Sequence, residues 1–381
     1  VCEAETLKSV MLPNDKRLYE LDSLRGLAAV GIVCWHYTNM WHTTPLAGIF
    51  APFYTYGLLL VDFFFVLSGF VLARAYWNDH RRESTARNII ERIARIYPLH
   101  FVTLISVIPI QFALQHRIGP LDYLFKYNNA YHFTLNVFLL NNSGLEQGFS
   151  FNTPAWSIST EMLVNLFFLL AITFRRRTAI IFMVSAWVLS AYAIAKHGLI
   201  TNYFTFGINP GIHRTVAGFF IGVALYNAMH SAIDTPRTHA RIHDVICITA
   251  ILAVLVFMAH RSATSITDAA VSFILFPTII ASAIRGGIIR RVLRTPMLVY
   301  LGEISYSIYL THFVLLVATL LLASFITTPL PYNVGIFLIG FLALTVFFSA
   351  LAHRFIEIPG KRFVMRISTA RNLVSEVRDA S

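Results

Sequence analysis

The sequence predicts an all-α polytopic membrane protein with about ten transmembrane helices and both termini in the cytoplasm. Composition and charge placement carry that expectation. Of 381 residues, 56% are hydrophobic and 13% charged, and the mean hydropathy is +0.64. A soluble globular protein carries about 25% charge, so too few charges remain to cover a water-facing surface. The 32 Phe and 16 Tyr gather in blocks such as "VDFFFVLSGF", "LVNLFFLLA" and "LALTVFFSA". Disorder, a soluble nucleic-acid binder and a disulfide-stapled secreted domain are excluded. The cysteines, Cys2, Cys34 and Cys247, are odd in number and scattered.

Crossing a bilayer takes about 20 apolar residues per helix. Ten segments qualify, near 21–41, 56–77, 97–114, 155–174, 179–195, 212–229, 242–260, 266–284, 297–322 and 333–353. The runs are too long, and alternate too little, for barrel strands. With an even number of spans, Arg117, Lys126, Lys196, Arg214 and Arg261 fall on one side and the other 25 of the 30 basic residues on the opposite side. Basic residues gather on the cytoplasmic side, which places both ends there and accounts for most of the +11 net charge without nucleic acid. The segment 1–20 reads as cytoplasmic, 21–355 as the transmembrane domain and 356–381 as a basic cytoplasmic tail. Segment 78–96 reads as a basic inner loop with helical spacing. The stretch 115–154 is the one long outer connection, and loops of such length are commonly lids or binding segments.

Ionisable groups inside spans cost roughly 2.5–3.5 kcal/mol each on insertion scales and are functional candidates. They are Arg25, His36, Asp62, Glu161, Glu303, His312 and, near a span end, Arg214. Arg25 and His36 lie eleven positions apart, about 20° apart on the helix face and about 16 Å along the axis. That is a stripe leading from a basic mouth to a buried imidazole. Cys34, about 200° from His36, makes no Cys–His pair with it. Glu161, in "NTPAWSISTEM" with Trp156 and Ser157, is expected to reach the depth of His36, where a carboxylate would fix the tautomer of the imidazole. Ser157 and Ser159 lack the setting of a hydrolase nucleophile.

"LVYLGEISYSIYLTHFVLL" carries Glu303, Ser305, Tyr306, Tyr309 and His312, with 302, 305, 309 and 312 forming a polar stripe that reads as lining a cavity. Arg92 and Arg95 share a helical face, and two guanidinium forks suit phosphate oxygens, although inner loops are basic in any case. The His239 and Asp244 string "HARIHD" reads as chance. Neither a metal-ligand cluster nor a glycine-rich phosphate loop is expected.

With these residues in view, the sequence resembles the acyltransferase 3 family of integral-membrane acyltransferases. The matching pieces are "LDSLRGLAAVGIVCWH", "VDFFFVLSGFVL", "ERIARIYPLH", "PAWSISTEM", "GEISYSIYLTH" and "FIEIPGKR", in family order over about 18–362. Thr160 and Met162 depart from it, since the family often shows a second acidic residue or Gln after the Glu. The resemblance implies a bacterial inner-membrane enzyme moving an acyl group, commonly acetyl from acetyl-CoA as co-substrate, to a hydroxyl of a glycan or lipid-linked saccharide. It implies coenzyme A phosphates on Arg92, Arg95 and Arg25, His36 as general base or acyl carrier, and Glu161 as its partner. Ser68, Tyr306 or Tyr309 would then donate to the oxyanion. A transporter or flippase is the alternative, against which no inverted repeat is visible.

Overall fold

The computed structural model describes residues 17–77, 85–260 and 265–379. Lys8, Lys16, Arg81, Arg82 and Arg261, used above to orient the spans, lie outside them, as do 1–16 of the first segment and the last two residues of the tail. The architecture is helical, with no strand among the described residues. In order come α1 (Tyr19–Trp41), α2 (Ala47–Tyr56), α3 (Leu60–Tyr76), α4 (Thr85–Ile118), the short α5 (Asp122–Phe125) and α6 (Ala130–Val137), then α7 (Trp156–Ala171), α8 (Arg176–His197), α9 (Pro210–Ile233) and α10 (Ala240–Ala259). They are followed by α11 (Ser265–Ala270), α12 (Phe276–Arg285), α13 (Ile288–Leu293), α14 (Pro296–Glu303), α15 (Ser305–Ala323), α16 (Gly335–Ala352) and α17 (Ile358–Asp379).

Nine helical stretches among the described residues are long and apolar enough to cross a membrane. Helix α1 is not one of them, because Glu20, Asp22 and Arg25 crowd its first two turns. At 23 residues it nevertheless has the length of a span. It sits at the hub of the bundle, packed by α2, α3, α14 and α15. Helices α8, α10 and α16 turn Phe182, Val188, Leu252, Val256, Ile339 and Phe347 outward, as a lipid-facing belt should.

Three boundaries differ from the sequence expectation. Segment 78–96 is not simply a loop: α4 runs unbroken from Thr85, so Arg92 and Arg95 belong to a 34-residue helix. Segment 297–322 is two helices that meet at Ile304, where Ser305 Oγ donates to the Gly302 carbonyl (2.7 Å). Segment 333–353 continues through a π turn at His353–Glu357 into α17.

Glycines set the tightest crossings. A Cβ on Gly69 or Gly222 would run into the opposing backbone where α3 meets α9, at Phe219 and Val66 respectively. Gly302 meets the Asp22 backbone in the same way where α14 crosses α1. Small residues let membrane helices approach backbone to backbone, and these two crossings hold α3 and α1 in place around the site.

The connection after α4 is itself folded. Asn129 caps α6 by accepting from the His132 amide (3.0 Å). The His132 ring is pinned on both sides, Nδ1 against Asn129 Oδ1 (3.1 Å) and Nε2 accepting from the Gln147 amide (3.2 Å). Asn136 donates to Ser150 Oγ (2.9 Å), and the Phe151 amide donates to Asn128 Oδ1 (2.6 Å). In the string at His239 and Asp244, the carboxylate has a structural task. Asp244 accepts from the amides of Gly287, Ile288 and Ile289 at the start of α13.

Candidate active site

Five helices converge on a cavity of about 110 Å³. Helix α1 contributes Arg25, α3 contributes Phe64, Ser68 and Val71, α4 contributes Arg92, Arg95 and Ile96, α7 contributes Ser157 and Glu161, and α15 contributes Ser305, Tyr306 and Tyr309. Each set follows helical spacing, so each helix presents one face to the same space. Three guanidiniums around a single carboxylate make the lining net positive. Arg25 is steadied by Asp22 (2.8 Å). Glu161 accepts from Ser68 Oγ (2.6 Å).

Hydroxyl groups form the inner wall. Tyr309 and Ser157 share a hydrogen bond (2.7 Å), and Tyr309 also donates to the Pro154 carbonyl (3.0 Å). Tyr306 donates to the Ile96 carbonyl (2.6 Å), tying α15 to α4. Beyond Tyr309 the polar stripe of α15 continues to His312, with ring centroids 6.0 Å apart. His312 in turn lies 4.9 Å from His36. The His312 Nδ1 faces the Ile308 carbonyl (3.0 Å) and must carry the proton there, because a carbonyl can only accept. Its Nε2 is therefore the basic nitrogen of a neutral ring, and it is buried without a hydrogen-bond partner among the described residues. Trp35 and Phe313 also lie against the His36 ring.

Most of the residues singled out in the sequence meet here, but five are placed otherwise. Glu161 does not join His36: it bonds Ser68 and shares the cavity with the arginines, because α7 turns that face toward α3 and α4. His36 and His312 are both absent from the cavity lining and neighbour each other behind Tyr309, His312 a turn further along α15. Glu303 turns away from the interior. The break at Ile304 leaves it at the end of α14, paired with Arg17 (2.9 Å). Trp156 also stays outside the cavity and packs beneath Arg214, whose guanidinium lies 5.5 Å from the ring centroid.

That Arg214 belongs to a feature the sequence pointed to without pairing. Its Nε and Nη2 form a fork onto the two oxygens of Asp62 (2.7 and 2.6 Å), and Nη2 also donates to the Leu58 carbonyl (3.0 Å). The pair is buried between α3 and α9 and fixes the turn of α3 above Ser68. The signal was two lone opposite charges in separate spans. Phe64 and Val71 carry no polar signal in an apolar span, although they lie at i−4 and i+3 from Ser68.

The acyltransferase domain family matches residues 18–354, and the chain belongs to that family. It is 28% identical over 331 residues to the acyltransferase MdmB of Streptomyces mycarofaciens, covering 80% of this chain and 81% of that protein. It is 25% identical over 362 residues to the O-acetyltransferase OatA of Staphylococcus aureus (strain NCTC 8325 / PS 47), covering 89% of this chain and 56% of that protein. The chain thus spans little more than half the length of its S. aureus relatives. No solved structure matches it.

Proposed function

We propose that the protein is a membrane-embedded O-acyltransferase that takes an acyl group, in the first instance acetyl, from acyl-CoA and passes it to a hydroxyl of a glycan or lipid-linked saccharide. One observation carries the reading. A cavity ringed by Arg25, Arg92 and Arg95 has Ser157 and Tyr309 on its wall, and behind Tyr309 the imidazoles of His312 and His36 follow in ring contact. Family membership and the names of the relatives support it.

Arginine forks bind phosphate oxygens in bidentate fashion, so the arginine mouth takes the anionic end of the donor, on the cytoplasmic side where the basic residues gather. At about 110 Å³ the cavity holds a fragment of such a donor, which leaves the bulk of coenzyme A at its mouth. The acceptor approaches from the opposite side, beneath the connection that carries α6. His36 removes the hydroxyl proton as the acceptor oxygen attacks the thioester carbonyl, and the thiolate leaves as the acyl–sulfur bond breaks. General-base catalysis of this kind is worth typically 10²–10⁴ in rate. The hydroxyls of Tyr309 and Ser157 lie nearest, and by giving up their bonds to the Pro154 carbonyl and to each other they donate to the oxygen that gains charge. His312, neutral and with Nε2 unengaged, orients His36 and accepts a share of its proton. Glu161 and Ser68 set the charge and shape of the donor mouth.

The test is transfer in sealed vesicles of known orientation, with acetyl-CoA confined to one face. Thiol release together with acetylation of a saccharide offered on the opposite face is the expected result. Absence of thiol release from either face, with folded protein and a panel of saccharide acceptors, overturns the reading. Transfer confined to acceptors on the donor's side overturns the through-membrane route alone.

A further inference from the structure

A second cavity, of about 380 Å³, lies on a different face of α1. Its wall is built from α1, α2, α3, α10, α12 and α14, with Leu24, Ala28, Cys34, Phe53, Val254 and Met258 among its residues. No residue of the lining is charged or bears a hydroxyl or amide. Leu24, Ala28 and Gly31 sit roughly 60–140° around α1 from Arg25 and His36, and the space shares no lining residue with the active-site cavity. Between Leu24 and Cys34 it extends about 15 Å along the helix, and Leu27 at its edge is 43% exposed. It is a long, dry cleft open to the flank of the bundle.

One end of that cleft is strongly basic. A single turn from Leu24, at the start of α1, Arg290 pairs with Glu20 (3.2 Å) and the Arg294 guanidinium covers the Tyr19 ring at 5.2 Å. Arg285 donates to the carbonyls of Ala232, Thr235 and Pro236 and thereby holds the α9–α10 turn against the same place. That turn presents Arg237, which is exposed. The Arg237 guanidinium is held below its ordinary value by desolvation and next by the charges of Arg290, Arg294 and Arg285, with Glu20 opposing. Glu20 offsets only part of this charge. Beside these arginines Ile288, Val292, Met297 and Tyr300 are exposed, so α13 and α14 set apolar and basic side chains together, as elements at a membrane surface do.

An arginine cluster about 6 Å above the head of an apolar cleft matches the two parts of one molecule. We propose that the cleft is a binding site for an anionic phospholipid of the surrounding bilayer, its phosphate held by Arg237, Arg290 and Arg294 and one acyl chain laid along α1 between α2 and α10. Basic pockets between transmembrane helices select acidic headgroups, and guanidinium forks match phosphate oxygens. A zwitterionic lipid would bring its own cation against the arginines and binds less well. The site does not depend on the acyltransferase reading, since it shares no lining residue with the active-site cavity.

Native mass spectrometry of the full chain, released from nanodiscs of equal phosphatidylglycerol and phosphatidylcholine, tests the proposal by counting retained lipid. Wild-type protein retains phosphatidylglycerol in preference to phosphatidylcholine. Arg237→Gln and Arg294→Gln, both at exposed positions, each lower that preference roughly fivefold, the worth of one basic residue at an anionic surface. Arg175→Gln, an exposed arginine outside the cluster, leaves it unchanged. Val30→Phe and Leu255→Trp narrow the cleft from its half-buried rim and lower retention of both lipids. Equal loss on Arg175→Gln, or retention indifferent to both cleft variants, reduces the effect to general surface attraction and overturns the site. A lipid-free protein whose cleft variants instead dissociate a dimer overturns it in favour of a second copy as occupant.

Discussion

The imidazoles of His36 on α1 and His312 on α15 lie 4.9 Å apart between ring centroids, inclined by 46°. The Nδ1 of His312 is committed to the Ile308 carbonyl, which leaves its basic nitrogen free to act on a neighbour. Two rings so placed act as a unit, and residues that act as a unit have non-additive effects. We predict that His36→Ala lowers acyl transfer by about 10² or more and that His312→Ala lowers it by less. The double variant should be no slower than His36→Ala alone. Turnover in detergent measures all three, and a double variant that multiplies the two losses refutes the coupling.

At the other end of the site, Arg92→Ala and Arg95→Ala should raise the Michaelis constant for acyl-CoA while leaving that of the acceptor unchanged. Both arginines line the cavity, and under the proposed function their loss removes donor contacts alone. The deficit should shrink with salt in the range where exposed charges are screened. Unaltered donor affinity in both variants returns them to the general basic surface.

The Asp62–Arg214 pair makes a prediction about stability. Its side chains are 1% and 5% exposed. Removing one member of a buried pair strands the other and costs about 3–5 kcal/mol. Asp62→Asn and Arg214→Gln should therefore each lower the unfolding temperature in detergent steeply. Asp62→Leu combined with Arg214→Met should recover much of the loss, because no uncompensated charge then remains. A double variant as unstable as the sum of the singles argues against a self-contained pair.

Backbone contact between α3 and α9 is testable by a single methyl group. Gly69→Ala places a Cβ against Phe219 backbone atoms, and overpacking of this kind costs about 1–3 kcal/mol. Gly340→Ala, on α16, meets nothing within 4 Å and should be neutral or slightly stabilising, as the change from Gly to Ala is in an open helix. Comparable melting temperatures for the two variants would contradict the packing described.

The long connection should be sensitive to acid. Burial holds the His132 imidazole below its ordinary value of 6.5, with Glu146 opposing. Both ring nitrogens are engaged by neighbours that suit the neutral form. An opened segment binds a proton that the folded one refuses, so stability is full above about pH 6.5 and falls as the pH drops below it. The loss is at most about 1.4 kcal/mol per pH unit. Amide exchange across 130–150 should quicken between pH 7 and pH 5 beyond its intrinsic change, and His132→Asn should flatten that dependence. A wild-type profile already flat excludes the histidine as the cause.

Much of the site was legible because membrane insertion makes polar residues conspicuous. Arg25, Ser68, Arg92, Arg95, Ser157, Glu161, Ser305, Tyr306 and Tyr309 all meet in one cavity, and helical spacing alone put the members of each helix on a common face. Partner choice was not legible. Equal depth suggested His36 for Glu161, yet depth is one coordinate of three, and the rotation of α7 sends Glu161 to Ser68. Glu303 reads as a group inside a span only if 297–322 is one continuous helix, and the break at Ile304 releases it to Arg17.

By itself, then, the sequence determined the helical membrane class, the approximate spans and the short roster of polar residues that lipid would not accept. Those follow from composition and period, which are properties of each segment alone. Only the tertiary structure decided that His36 meets His312, that Asp62 and Arg214 neutralise each other, and that an arginine cluster caps an apolar cleft beside α1. Such pairings depend on how each helix is rotated about its axis against its neighbours. That rotation is set by contacts between distant segments, such as Gly69 on Phe219 and Gly302 on Asp22, which no single span encodes.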